Sequence, residues 1–303
     1  VLIPESVGSI RSSAFSECII LESIQIPKSV KSIFGYALSG CTSLTSVVIP
    51  ESVNAIGPWA FEGCTSLTSI MIPSSIKSIG NVVFQDCTSL ESVVICEGVE
   101  SIGREAFQRC TRLESIVIPA SVKRIRDSAF LGCTNLKSMV IPEGIICIEG
   151  STFRNCTSLT SVIIPESVQH IDDFAFEGCT SLESIEIPKG VLSIGYAAFE
   201  NCTSLQSIAV PENVASIRKR AFIGCSSLKT IVLPCQFCND DDKNRLGIRT
   251  SVNCIPCAQQ MKKQYIISNV RPTPNRTIEV TQFVELTEEF VDAHIRYNEK
   301  ITH

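Results

Sequence analysis

The sequence predicts an α/β-type solenoid, predominantly β, in which short parallel strands stack on one face. Three observations predict it. Ten cysteines stand at one interval of 23 residues: Cys18, Cys41, Cys64, Cys87, Cys110, Cys133, Cys156, Cys179, Cys202 and Cys225. The same interval carries a leucine row from Leu21 to Leu228, a phenylalanine row from Phe61 to Phe222 and a proline row from Pro4 to Pro234. Within each interval a short alternating apolar run is closed by proline, which suits a strand of a few residues and not a helix.

One unit, Cys41 to Gly63, shows what each element does. Val47 and Ile49 alternate inward on a short strand, and Pro50 ends the ladder because it has no N–H to donate. Val53 and Ile56 return along a second short extended segment. Ala60 and Phe61 then fill the back of the coil, and Gly63 permits the tight step into the next unit. No single unit can enclose these side chains. Stacking copies about 4.8 Å apart buries each row against itself, at roughly 2 kcal/mol for each large side chain.

Leu44, Val47 and Ile49 match the L-x-x-L-x-L core of leucine-rich repeats, and the stretch Ile49-Pro50 to Ala60-Phe61 adds I-P-x-x-V-x-x-I-G-x-x-A-F. Residues 1 to about 234 therefore resemble the BspA-like leucine-rich-repeat class. Departures include Cys96 for proline, Leu38 for phenylalanine and Thr152 for alanine. The resemblance implies a right-handed superhelix with short parallel strands on one face. It also implies a surface or secreted adhesion and interaction protein of a microbe or protist.

The repeat cysteines take the inward ladder position, where a thiol packs as a small apolar group and donates weakly to a neighbouring carbonyl. In-register Cβ atoms about 4.8 Å apart stand wider than a disulfide wants. A second group differs. Cys235-Gln-Phe-Cys238 and Cys254-Ile-Pro-Cys257 make a C-x2-C-x15-C-x2-C arrangement, in which two hooks can hold the corners of a tetrahedral Zn²⁺. A disulfide-stapled cap and free thiols are the alternatives. In every case residues 235–260 form a small Cys-rich cap over the open end of the solenoid of residues 1–234. Residues 261–303 lose the period and form an α+β tail: a short strand over 277–284, then a C-terminal helix with Leu286, Phe290, Ala293 and Tyr297 on one face.

A solenoid binds through its exposed columns, so the positions between the core rows carry the functional signal. The residue between the two inward strand positions reads Val48, Met71, Val94, Val117, Val140 and Ile163 through the central coils, an apolar stripe on the open face of the sheet. Packing propensity of β-branched residues on a parallel sheet is the alternative explanation. Beside the stripe, the residue after each proline forms a mainly acidic rim that includes Glu51, Glu97, Glu143 and Glu166. An apolar floor with an acidic edge suits a protein or cationic partner.

Several function classes are disfavoured. A formal net charge of −5 supplies no field for nucleic acid, and no apolar run reaches the roughly 18 residues needed to cross a bilayer. The chain starts at Val1, in the middle of a repeat, so compartment and oligomeric state stay open. His170, His294 and His303 are the three histidines, none in a motif with a nucleophile, and the serine rows recur because the repeat does. The expected function is a non-catalytic protein-interaction or adhesion scaffold, at the cell surface by resemblance. The alternatives are an intracellular adaptor whose zinc-clipped C-terminal module does the recognition and, more remotely, a thiol-disulfide redox protein using the CxxC pairs.

Overall fold

Every coil places its strands in register with the strands of its neighbours, 23 residues away in sequence. In the computed structural model, which describes residues 1–250 and the strand of residues 252–255, Ser69–Ile72 lies parallel to Ser92–Ile95 with Ile70 opposite Val93 and Ile72 opposite Ile95. The strands Ser23–Gln25, Ser46–Val48, Ser69–Ile72 and Ser92–Ile95 form one parallel sheet, and the bridge from Val94 to Val117 carries the pairing into the next coil. Ser138–Val140 pairs with Ser161–Ile163, and Ser207–Ala209 with Thr230–Pro234. This is the predicted predominantly β parallel solenoid.

The second extended segments build a ladder of their own. Cys147–Ile148, His170–Ile171, Ser193–Ile194 and Ser216–Ile217 run parallel in one sheet, and the earlier coils contribute two three-stranded sheets of the same kind. On the third side the chain turns, and amides reach forward to the following coil: Phe61 N–H donates to Val83 O at 3.0 Å and Phe84 N–H to Ala106 O at 2.8 Å. The backbone of each turn is thus satisfied by its neighbour, as burial requires.

The core is the stack of equivalent side chains. Eight phenylalanines from Phe61 to Phe222 are buried, and successive rings lie 5.4 to 5.8 Å apart, with planes within 13° of parallel. A centroid separation wider than the coil rise offsets the rings, the arrangement that aromatic quadrupoles prefer. Leu38 and Thr152 occupy their rows without breaking the burial.

The turns depart from the sequence reading in one respect. The left-handed backbone conformation is needed twice in each coil. The row of Gly63 adopts it, with φ of 67° there, but so does the row two residues before each phenylalanine, where Tyr36, Trp59, Val82, Phe174 and others have φ between 54° and 64°. No member of that second row is glycine, so each carries a Cβ in a conformation that costs roughly 1 kcal/mol or more. Interlocking turn amides hold it there.

The C-terminal end is closed by one more coil of different construction. The strand Val252–Ile255 continues the sheet beyond Thr230–Pro234, with Leu233 opposite Cys254, a step of 21 residues in place of 23. Between them the helix Asp240–Leu246 replaces the phenylalanine turn. Asn239 caps it by accepting from Asp242 N–H at 2.7 Å, and Gly247 ends it at φ 81°. Leu246 is fully buried, and its carbonyl and that of Arg245 accept from Phe222 N–H and Arg220 N–H. The Asp240-Asp241-Asp242 run is the first turn of this helix, where negative side chains complement the helix dipole. Val1–Pro256 forms one compact unit. Cys257, the tail strand and the tail helix lie outside the described residues.

Candidate functional site

The strand alternation turns two side chains of each coil out of the core on the sheet side. In Ser46–Val48 the burial alternates outward, inward, outward, and the same alternation recurs in Ser138–Val140 and Ser161–Ile163. The open face is therefore two parallel rows, one of serine hydroxyls and one apolar. Val48, Met71, Val94, Val117, Val140 and Ile163 are 48% to 80% exposed, while their neighbours Val47, Ile70, Val93, Ile116, Met139 and Val162 are buried. The stripe read from sequence is on the surface. The apolar row ends at Glu186, which is also exposed.

The two flanks of this stripe differ electrostatically. Glu51, Glu97, Glu143 and Glu166 are exposed on the proline side. Glu51 accepts from Ser74 Oγ at 3.1 Å and Glu166 from Gly190 N–H at 3.3 Å; none of the four carboxylates is in an ion pair among the described residues, while Lys77 and Lys123 donate to the main-chain carbonyls of Gly98 and Glu143, each at 3.4 Å. On the other flank, the two carboxylates within the coils of the stripe are matched: Glu91 pairs with Arg112 at 3.2 Å and Glu114 with Lys137 at 2.6 Å. The negative edge is thus one-sided. Sequence reading found the rim but missed this asymmetry, whose signal was the presence of Arg112 and Lys137 one coil after the glutamates they match.

Two basic groups, Lys123 with Arg124 and Arg126, and Arg218 with Lys219 and Arg220, are partly neutralised. Arg126 faces Glu149 at 3.6 Å, Arg218 binds Asp173 at 2.6 Å, and Arg220 binds Glu200. The outer aromatics gather into two pairs away from the open face. Tyr36 and Trp59 stack at 5.0 Å with planes 3° apart, and Phe174 meets Tyr196 edge-on at 5.2 Å.

The repeat thiols are structural. Each Sγ from Cys41 to Cys225 donates to the carbonyl of the residue 26 positions earlier, as Cys110 does to Phe84 O at 3.2 Å. Burial pushes Cys41 up to about 11 and Cys133 up to about 12, so neither is a thiolate near neutrality. Cys147, outside this row, donates to Asp172 at 3.2 Å and is likewise pushed up, by burial first and by that carboxylate second. His170 Nδ1 lies 2.8 Å from Ser193 Oγ, and Cys147 stands opposite His170 in the ladder. Among the described residues no three His, Cys, Asp or Glu side chains converge to hold a metal.

Of the four sulfurs expected to hold zinc, Cys235 and Cys238 flank a short 3-10 turn beneath the cap. Cys238 is disulfide-bonded. Cys257 and the side chain of Cys254 lie outside the described residues.

Known proteins place these features in context. A family model described as BspA type leucine rich repeat region matches residues 8–137 and 123–240, in six copies. A leucine-rich repeat protein from Bacteroides ovatus is 30% identical with a TM-score of 0.55, covering 84% of this chain and 83% of its own. A leucine rich cell surface protein from Faecalibacterium prausnitzii is 26% identical with a TM-score of 0.48, covering 86% and 89%. No curated protein matches.

Proposed function

The chain belongs to the BspA-type leucine-rich-repeat family, and from that premise we propose that it is a non-catalytic scaffold at the cell surface that binds a protein partner through the open face of its sheet. The observation that carries the proposal is the apolar row from Val48 to Ile163, about half or more exposed at every position while the rows on either side of it along each strand are buried, with Ile164 alone partly so. Exposed apolar surface of this length is costly in a soluble monomer and marks a contact surface. Propensity alone would ask for Thr at these positions as readily as for Val, Met and Ile.

The acidic rim adds direction, because unmatched carboxylates at the border of an apolar strip favour a partner with basic residues beside its own apolar contact. No helix among the described residues is long and apolar enough to cross a membrane. The inward orientation of the repeat cysteines and the burial that pushes their thiols up support a packing role for that row.

The experiment is capture of solubilised surface proteins by the immobilised chain, compared with a variant carrying Val94→Glu, Val117→Glu and Val140→Glu. The expected result is loss of capture with an unchanged circular-dichroism spectrum. Equal capture by a folded variant would refute the open-face reading.

A further inference from the structure

We propose that the occupant of the open face is a basic amphipathic α-helix lying along the solenoid axis, with lysine or arginine repeating every seven residues beside its apolar stripe. This deepens the reading above and rests on it. Two spacings and one asymmetry on the face lead to it.

The first spacing is that of the apolar row. One exposed apolar side chain per coil recurs about every 4.8 Å along the sheet. A helix laid along this direction offers one apolar contact per turn, about every 5.4 Å. An extended strand offers same-side residues about every 6.8 Å and falls out of step within two coils. From Val48 to Ile163 there are five coil steps, about 24 Å, which a helix of roughly 16 residues spans.

The second spacing is that of the carboxylates. Glu51, Glu97 and Glu143 stand on every second coil, with the short neutral Ser74 and Ala120 between them. Two coils make about 9.6 Å, and one heptad of a helix about 10.5 Å. Over the two intervals the mismatch grows to about 2 Å, within the swing of a lysine or arginine side chain. Glu166, one coil beyond Glu143, extends the row to the end of the stripe.

The asymmetry fixes where the cations must lie. Glu91 and Glu114 on the serine side already have Arg112 and Lys137, whereas the proline-side carboxylates are in no ion pair among the described residues, the nearby Lys77 and Lys123 being turned to main-chain carbonyls. A helix with cations on one border meets the unmatched edge in one of its two directions along the axis. A second copy of this chain packed with its axis antiparallel would bring a row of like charge to the same edge, and one packed parallel would set this edge against the serine side, which offers no free row of cations.

The probe is a synthetic helix of roughly 21 residues with leucine at the two core positions of each heptad, lysine at one flanking position and glutamine elsewhere. Its binding to the full chain is read by fluorescence anisotropy. The comparison peptide keeps the composition and helicity but shifts the lysines off the seven-residue spacing. We expect the regular peptide to bind roughly tenfold or more tightly than the permuted one. A Glu97→Lys/Glu143→Lys variant should lose the lysine peptide by a similar factor and gain the counterpart with glutamate at those positions. Equal binding of regular and permuted peptides, or an unreversed charge preference in the folded variant, would overturn the proposal. The peptide comparison needs no substituted chain, so misfolding of the variant leaves it decisive. If the Val94→Glu/Val117→Glu/Val140→Glu chain loses natural capture while both peptides bind alike, the open-face reading stands and the helix inference alone falls.

Discussion

The Sγ of Cys87 donates to the main-chain carbonyl of Phe61 at 3.2 Å, one coil and three residues back along the chain. The bond ties the inward turn of one coil to the aromatic turn of the coil before it. Its copies along the row make the thiol a spacer with a hydrogen-bonding function, which serine could imitate only by burying a more strongly solvated group.

Alkaline pH should loosen the array. Cys133 ionises at about 12 in the folded chain against an ordinary 9.0, because burial disfavours the thiolate. Above about pH 9 the unfolded chain loses this proton while the folded chain keeps it, so stability falls as pH rises and is lost through the folded value. Each such buried thiol contributes about 1.4 kcal/mol of loss per pH unit in that window. The melting temperature should hold between pH 7 and 8 and drop steeply from pH 9 to 10.5. A flat profile across that range would show that the thiols are not buried as a row.

Position in the stack should set the cost of losing a ring. Phe107 lies between Phe84 at 5.4 Å and Phe130 at 5.6 Å, whereas Phe222 stacks on Phe199 alone. Phe107→Ala should lower stability in urea by about 3 to 5 kcal/mol, and Phe222→Ala by less. Equal losses at the two sites would contradict a stability built from nearest-neighbour contacts.

Two glycines predict opposite outcomes for the same substitution. A Cβ added at Gly57 would run into the backbone of Gly35 and Phe34 in the preceding coil, while one at Gly8 meets nothing within 4 Å. Gly57→Ala should therefore cost about 2 kcal/mol or more, and Gly8→Ala should stay within about 0.5 kcal/mol of the parent. Thermal unfolding of the two variants side by side reads the difference.

The cap should protect the last repeat. Phe222 and Arg220 donate their amides to the carbonyls of Leu246 and Arg245, and Arg245 also reaches Ile217 O at 2.6 Å. Leu246→Ala should weaken the cap by about 2 to 4 kcal/mol and speed hydrogen exchange at the Phe222 amide, leaving Phe107 unaffected. Unchanged exchange at Phe222 would mean that the helix does not hold the end closed.

The sulfur chemistry of the cap is open to direct measurement. Cys238 should resist alkylation in the unfolded, unreduced chain and react after reduction. Stoichiometric zinc in the purified protein, with Cys235, Cys238, Cys254 and Cys257 all alkylated once the metal is chelated and the chain unfolded without reductant, would instead assign the metal-clipped form.

The coil itself was legible because a solenoid is periodic in one dimension, so sequence spacing is spatial spacing. Val48 could be placed on the surface and Val47 inside from the strand alternation alone, and the stacking of Phe61 on Phe84 follows from a shared row. The left-handed turn residues were not legible. Val82 and Trp59 have no intrinsic preference for that backbone, and only the amides of the adjoining coils impose it. The capping helix was half-legible: Asn239 followed by three aspartates is an N-terminal signal, but a helix of seven residues is too short to show an apolar period.

What the sequence determined by itself is therefore the repeat, the buried rows and the existence of one apolar outer column, since each depends on local alternation copied at a constant interval. What only the tertiary structure decided is which charges are already matched. Glu114 is matched by Lys137 and Glu97 is not, a distinction set by which side chains from successive coils come within a few ångströms of each other across the ladder. Spacing along the chain is silent about it.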